Sequence, residues 1–472
     1  MNALLITILT VVSFTVYAQV PQKYLESAAN NNPLLKSQFN LYQSELEKIS
    51  QVKSLPDPQV NMGFFLMPME RFIGNQVASV SAMQMFPWFG TLGAAKSEAA
   101  YMAKARYEVF RETKSQVFFE VKQAYYELYF LEQEIKITKH NLEILKNIER
   151  IALARYMAGG NSEGGISEMK QQNNRVPVER KYNTSGMGNM SGMEQNQNAG
   201  KNQNMSRMNS SMGNMDSGSG SMVDVLRIQI EIKELESNLE LLEDSKTPLT
   251  EKFLQLTGLP ADEPIGIPDS FYLADPPVSL AEIPDSLKKN NPMILMLEAE
   301  EQSYMSMERM NKRMGMPMLG VGLQYDIFRP RESMGHNDVV SSMNGKNMLM
   351  PMVSFTVPIW RGKYKGSVKE AKALKEASRV QQIDTEQKLM VSFAELRKAN
   401  NDALRRHKLY TGQLQLAQQS INILTTQYSA GGTTFEEVLR MQQQILNIQL
   451  NIESSIRDNH LAIAGMERLM GR

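Results

Sequence analysis

Two spacings of apolar residues divide the chain. In "LGVGLQYDI" (319–327), Leu319, Val321, Leu323, Tyr325 and Ile327 fall on one side of an extended backbone, while Gly320, Gly322, Gln324 and Asp326 fall on the other. "VSFTVPI" (353–359) repeats this with Val353, Phe355, Val357 and Ile359, and "VNMGFFL" (60–66) with Val60, Met62, Phe64 and Leu66. A fourth, fainter run covers 77–86. A period of two predicts short strands with one apolar face. Elsewhere the period lengthens. Leu128, Leu131, Ile135, Leu142 and Leu145 keep a three-four rhythm, with Thr138 in one place and charged or polar residues between them. That predicts coiled-coil helices. Sixty residues of helix measure roughly 90 Å, too long for a compact globule and suited to a bundle, a tether or a tube.

These elements are written twice. One copy opens with "NNNPLL" (30–35) and the other with "KNNPMI" (289–294). "FPWFGTLGAAKSEA" (86–99) corresponds to "VPIWRGKYKGSVKEA" (357–371), and "RYMAGG" (155–160) to "QYSAGG" (427–432). "VDVLRIQIEIKELESNLELLE" (223–243) corresponds to "FEEVLRMQQQILNIQLNIE" (435–453). Trp88 to Trp360 and Tyr156 to Tyr428 are both 272 residues apart, but Val225 to Val438 only 213, so the first copy carries 59 additional residues between its long helices.

The expected layout is therefore a first repeat over 19–258, with strands about 58–67 and 77–87 and helices about 92–158 and 223–257. An insertion at 162–222 follows the first of those helices. A Pro-rich linker (259–284) leads to a second repeat over 285–472, with strands about 318–328 and 350–359 and helices about 366–429 and 435–470. Four strands per chain cannot close a barrel, and an open sheet cannot sit in lipid with its edges unpaired. Three chains would contribute to a trimeric 12-stranded barrel, continued by their helices as an α-helical tunnel. The fold class is mainly α with transmembrane β: duplicated β-hairpins plus long coiled-coil helix pairs.

Composition narrows the function. Lys plus Arg and Asp plus Glu are 51 each, which gives no reason to expect nucleic acid. Cysteine is absent, so there is no disulfide framework, thiolate site or cysteine nucleophile. The apolar run 3–16 and Val16-Tyr17-Ala18 before Gln19 read as a secretory signal peptide over 1–18. His140, His336, His407 and His460 show no ligand spacing, and no catalytic or cofactor-binding constellation appears, so the chain is not read as an enzyme.

The Asn-Pro starts (Asn32-Pro33, Asn291-Pro292), "PWFG" (87–90) with "PIWRG" (358–362), and "DVLRIQ" (224–229) with "EVLRMQ" (437–442) occur in order and in duplicate. So do Arg155-Tyr156 with Gly159-Gly160, and Tyr428 with Gly431-Gly432. In these features the mature chain, apart from the insertion, resembles the TolC-type outer membrane efflux family. The resemblance implies a homotrimer in outer membrane lipid that extends into the periplasm. It also implies a periplasmic adaptor (membrane fusion) protein and an inner-membrane efflux pump, here of the RND type. It places Asp224 and Glu437 at the periplasmic entrance, where three chains would form a ring of six carboxylates that favours cations. The same acids equally suit helix N-termini. Arg155, Tyr156 and Tyr428 are the remaining entrance positions.

The insertion holds Met187, Met190, Met193, Met205, Met208, Met212, Met215 and Met222 among Asn, Ser and Gly. Further methionines bracket the third and fourth strands, in 304–318 and 334–352. Thioethers are soft, uncharged ligands that suit Cu(I) and Ag(I). The expected function is an exit duct of a tripartite efflux system with Cu(I) or Ag(I) as cargo. The alternatives are the same duct for drugs or other small molecules, one for secreted protein, and a periplasm-spanning coiled-coil tether without a pore.

Overall fold

The computed structural model describes residues 20–71, 73–160, 222–261, 263–276, 279–331 and 344–471. The signal-like segment 1–18, His336 and all of the insertion's methionines except Met222 lie outside these residues.

The first copy consists of α1 (Gln22–Asn31), α2 (Pro33–Lys53), β1 (Gln59–Arg71), β2 (Gly74–Phe86), α3 (Thr91–Gly160) and α4 (Met222–Thr257). The second repeats the series as α5 (Ile283–Asn290), α6 (Pro292–Met314), β3 (Met318–Arg329), β4 (Met348–Thr356), α7 (Arg361–Ser429) and α8 (Phe435–Leu469). The packing divides the described residues into two compact units. One lies within Met1–Lys136, Glu240–Gly412 and Ile448–Arg472, the other within Ile137–Leu239 and Gln413–Asn447.

The duplicated Asn-Pro pairs have a physical role in the first unit. Pro33 and Pro292 start α2 and α6, where a missing N–H costs nothing. Asn32 Oδ1 accepts hydrogen bonds from the amides of Leu34 (2.9 Å) and Leu35 (3.3 Å), and Nδ2 donates to the Leu256 carbonyl at 2.9 Å. Asn291 does the same with Met293 (2.9 Å), Ile294 (3.3 Å) and the Leu469 carbonyl (2.7 Å). Each side chain thus caps one helix and ties it to the last turn of its copy's final helix. Asn291→Ala removes a cap and strands a buried carbonyl, at a cost of about 2 kcal/mol. A lowered thermal midpoint of the detergent-solubilised protein is the expected readout, and an unchanged midpoint contradicts this account of the cap.

The strands form one antiparallel sheet in the order β1-β2-β3-β4. The copies join at β2 and β3, whose register runs from Asn75 opposite Arg329 to Phe86 opposite Leu319, with a shift between Gln76 and Ala78. β1 continues past the alternating stretch to Arg71, with a register shift between Phe64 and Met69 where Pro68 interrupts the ladder. β4 ends at Thr356, short of the alternating run, because Pro358 has no amide to donate. The first hairpin closes with Arg71 opposite Gly74. Gly74 has φ +129°, and a Cβ there would lie 2.7 Å from the Arg329 carbonyl, so only glycine suits the turn.

The apolar face of this sheet is bare. Phe64 is 78% exposed and Leu66 fully so, with Val60, Met62, Val321, Leu323, Val353 and Phe355 also exposed. On the opposite face Gly320, Gly322 and Asp326 are buried. Gln76 and Gln324 donate to Asp326 Oδ1 at 2.9 and 2.8 Å. A water-facing sheet has the reverse arrangement. A contiguous apolar face of this kind marks contact with lipid or with another protein.

The Pro-rich segment between the copies is held within the first unit by side chains that hydrogen-bond to its backbone. The Tyr125 hydroxyl donates to the Gly266 carbonyl (2.8 Å), and the Tyr129 hydroxyl accepts from the Phe271 amide (3.0 Å). Gln133 donates to the Asp269 carbonyl (2.9 Å), and Asn459 Oδ1 accepts from the Ala274 amide (2.8 Å). Around these bonds Tyr24, Tyr125, Tyr129, Phe253 and Phe271 form an aromatic core. Among the described residues no helix is long and apolar enough to cross a membrane.

Candidate functional site

The entrance residues named from the sequence all lie in the second unit. Its core is a single apolar cluster. Leu142, Leu145, Ile148 and Ala152 of α3 meet Val225, Ile228, Ile232 and Leu235 of α4, with Tyr428 of α7 and Phe435 and Val438 of α8. The three-four rhythm of α3 and α4 produces this seam, since residues three and four apart share a face. One polar pair crosses it: Gln442 Nε2 donates to Asn141 Oδ1 at 2.7 Å, both side chains buried. Such a pair fixes helix register in an otherwise apolar seam.

Tyr428 is the hub of the site. It is 3% exposed and packs its ring edgewise on Phe435, with centroids 5.7 Å apart at 60°. The Arg155 guanidinium lies 4.7 Å from the centroid of the Tyr428 ring, and Arg155 Nη1 donates to the Tyr428 carbonyl at 2.8 Å. One side chain from the end of α3 thus holds the last turn of α7 by a charge-assisted hydrogen bond and a cation–π contact. The Tyr428 hydroxyl oxygen is buried and forms no hydrogen bond of ordinary geometry among the described residues. Burial, above all, raises its pKa; the Asp224 carboxylate pushes the same way and Arg155 opposes. The tyrosine therefore stays neutral across the physiological range.

α7 turns into α8 by a tight loop. Gly432 N donates to the Gln427 carbonyl at 2.8 Å and Gly431 N to the Tyr428 carbonyl at 3.1 Å. Gly431 takes φ +82°, the left-handed cap that glycine supplies without strain.

The two acids at equivalent sequence positions are not in equivalent surroundings. Asp224 is half-buried in the first turn of α4, within electrostatic reach of Tyr428. Glu437 is exposed in the first turn of α8 and accepts a hydrogen bond from the Thr433 hydroxyl. The structure thus brings Arg155, Tyr428 and Asp224 together. Tyr156 is 43% exposed. Asp224 and Glu437 sit in first turns, as helix-starting acids do. An exposed pair, Arg227 with Glu436 at 3.0 Å, links α4 to α8, a contact of small energetic weight in water.

Of the eight methionines within 187–222, Met222 is described: it opens α4 and is 45% exposed. Met187, Met190, Met193, Met205, Met208, Met212 and Met215 lie outside the described residues. No group of three or more His, Asp or Glu side chains among the described residues is arranged to hold a metal ion.

His460 proves less ordinary than its sequence context. It is 3% exposed, stacks on Tyr126 (4.7 Å between centroids, 27°), and has Nε2 2.9 Å from the Tyr272 carbonyl. Burial holds its pKa below the usual histidine value. It anchors the Pro-rich segment, a role that no spacing in the sequence signals.

No family model and no curated protein matches the chain. Solved structures do match it, over nearly its whole length. The outer membrane protein VceC of Vibrio cholerae superposes with a TM-score of 0.67 at 14% identity, over 95% of this chain and 95% of its own. CusC, from a study of the conformational changes accompanying folding and transmembrane channel formation, gives 0.68 at 12% identity, over 96% of this chain and 92% of its own. The open-state outer membrane channel MtrE of Neisseria gonorrhoeae gives 0.65 at 12% identity, over 95% and 88%. At such identities the likeness is one of fold.

Proposed function

We propose that this chain, which has the fold of these TolC-type outer membrane channels, is one subunit of an outer membrane exit duct for efflux. The observation that carries this reading is the sheet: four antiparallel strands with a bare apolar face and, among the described residues, no closure. Lipid requires that face to be buried and both edge strands to be paired. Three copies paired edge to edge through β1 and β4 meet both needs with twelve strands, and their helices then lie in the periplasm. The non-enzymatic character of the reading follows from its mechanism: the duct supplies a path, and energy is spent by an inner-membrane pump of the RND type acting through a periplasmic adaptor.

The second unit is the entrance in this reading. Arg155 holds the turn of α7 against α3, and Asp224 and Glu437 of three chains supply six carboxylates near the opening. Fixed charge in a narrow pore selects ions of opposite sign. The protein reconstituted in planar bilayers is expected to conduct and to prefer cations. Asp224→Asn combined with Glu437→Gln is expected to reduce that preference while leaving the conductance in place. Unchanged selectivity contradicts the carboxylate ring, and an absence of any conductance contradicts the duct.

The cargo in this reading is Cu(I) or Ag(I). The insertion sets eight thioethers over 187–222 among polar residues, with no Leu, Ile or Val between them. Soft, unprotonated sulfur ligands capture soft monovalent ions over a wide pH range. The same duct passing drugs or other small molecules is the second reading, and the abundance of methionine favours the first.

A further inference from the structure

The face of the sheet opposite the apolar one carries a second group of thioethers. By register, Met85 lies opposite Gly320 and Met83 opposite Gly322. On the other side of β3, Ser354 lies opposite Gly320, Met352 opposite Gly322, Met350 opposite Gln324 and Met348 opposite Asp326. Five methionines on two strands therefore share the face of Ser79, Ser81, Gln324 and Asp326, with two glycines of the intervening strand between them. On the apolar face a methionine is one more lipid-compatible side chain. On this polar face hydrophobicity gives no reason to choose it.

The glycines let the flanking strands reach each other. The Ser354 hydroxyl on β4 donates to Met83 Sδ on β2 at 3.3 Å and lies 3.8 Å from Met85 Sδ. This contact passes over β3 at Gly320. A Cβ on Gly320 would overlap Ser354 Oγ, come within 2.6 Å of Met85 Sδ and lie 3.4 Å from Met83 Sδ. Gly320 thus leaves a recess into which two sulfur atoms and one hydroxyl converge. Met83, Met85 and Ser354 are all half-buried, so the recess is reachable from the face it opens on.

We infer that Met83 and Met85 form a binding site for a soft monovalent cation on the inner face of the sheet, with Met348, Met350 and Met352 on the same face as a further row of ligands. Two neutral thioethers suit Ag(I) or Cu(I), which accept low coordination numbers and soft donors. They bind without releasing a proton, and their modest donor strength lets an ion leave as well as arrive. A serine hydroxyl completes the recess and orients the sulfur lone pairs. That the site serves cargo in transit rests on the efflux reading; that it binds the ion does not.

The test is titration of the full chain in detergent with Ag(I), counting bound silver per protomer. Three proteins are compared: the parent, Met83→Leu with Met85→Leu, and a chain whose eight methionines of 187–222 are changed to Leu. Leucine keeps the size and removes the sulfur. The paired strand variant is expected to bind less silver than the parent, and the insertion variant to retain the ions that the strand variant loses. Equal silver in the parent and the strand variant overturns the inference, whatever the insertion does. An insertion variant that binds no silver also overturns it, while leaving the insertion's own role standing. A second measurement uses the unaltered chain, in case the strand variant fails to fold. Ag(I) is expected to slow sulfoxide formation at Met83 and Met85 under peroxide, read by peptide mass spectrometry, because a coordinated lone pair is not free to attack the oxidant. Oxidation of these two residues at the same rate with and without silver overturns the site.

Discussion

Phe253→Ala is expected to cost about 3–5 kcal/mol, the largest loss from any single substitution considered. Phe253 is fully buried in α4. Its ring meets Tyr24 edge-on, with centroids 5.1 Å apart at 82°, and lies 6.0 Å from the ring of Tyr125. Those two tyrosines hold Gly266 from both sides: its amide donates to the Tyr24 hydroxyl at 2.9 Å, and its carbonyl accepts from the Tyr125 hydroxyl at 2.8 Å. Removing the ring opens a cavity beneath α1 and frees both tyrosines from their packing, so the Pro-rich segment loses its anchor as well. Phe253→Leu fills most of the volume and is expected to cost less. Thermal unfolding of the detergent-solubilised variants checks this. A melt of Phe253→Ala indistinguishable from the parent contradicts the placement of the core.

Deleting residues 162–221 is expected to leave folding and assembly intact and to abolish tolerance of copper and silver salts, while tolerance of organic toxicants remains. Folding survives because α7 and α8 make the corresponding turn with the short Gly431-Gly432 loop. A longer connection also adds little closure entropy. Metal tolerance is lost if the thioethers of 187–222 gather the ion at the entrance. Changing the eight methionines to Leu should mimic the deletion. A peptide of this segment should bind Cu(I) and ignore Zn(II), which prefers nitrogen and thiolate ligands. Equal metal tolerance in deletion and parent strains, with no Cu(I) bound by the peptide, reduces these methionines to linker.

The sequence made the architecture legible wherever the signal is local. Asn32-Pro33 and Asn291-Pro292 announce two helix starts because cap chemistry acts within three residues. The alternation at 319–327 marks a strand because its two faces meet different surroundings. What escaped depends on partners far apart in the chain. The convergence of Met83, Met85 and Ser354 needs the β2-β3-β4 register, which joins residues 271 and 269 positions apart. The hold of Arg155 on Tyr428 spans 273 positions. The second copy has Gln427 where the first has Arg155, so the repeat itself gave no hint of the pairing. The unequal surroundings of Asp224 and Glu437 are invisible for the same reason: equivalent places in a repeat do not fix equivalent neighbours. His460 looks like any mid-helix residue until the Pro-rich segment is seen lying against it.

The mass of the purified, full-length protein in detergent, measured by light scattering with the detergent contribution subtracted, tests the duct most directly. The apolar face and the two unpaired edges of a four-stranded sheet require other copies to complete them, so three protomers per particle are expected. A monodisperse single protomer that retains its full strand content would contradict the shared barrel, and with it the exit duct.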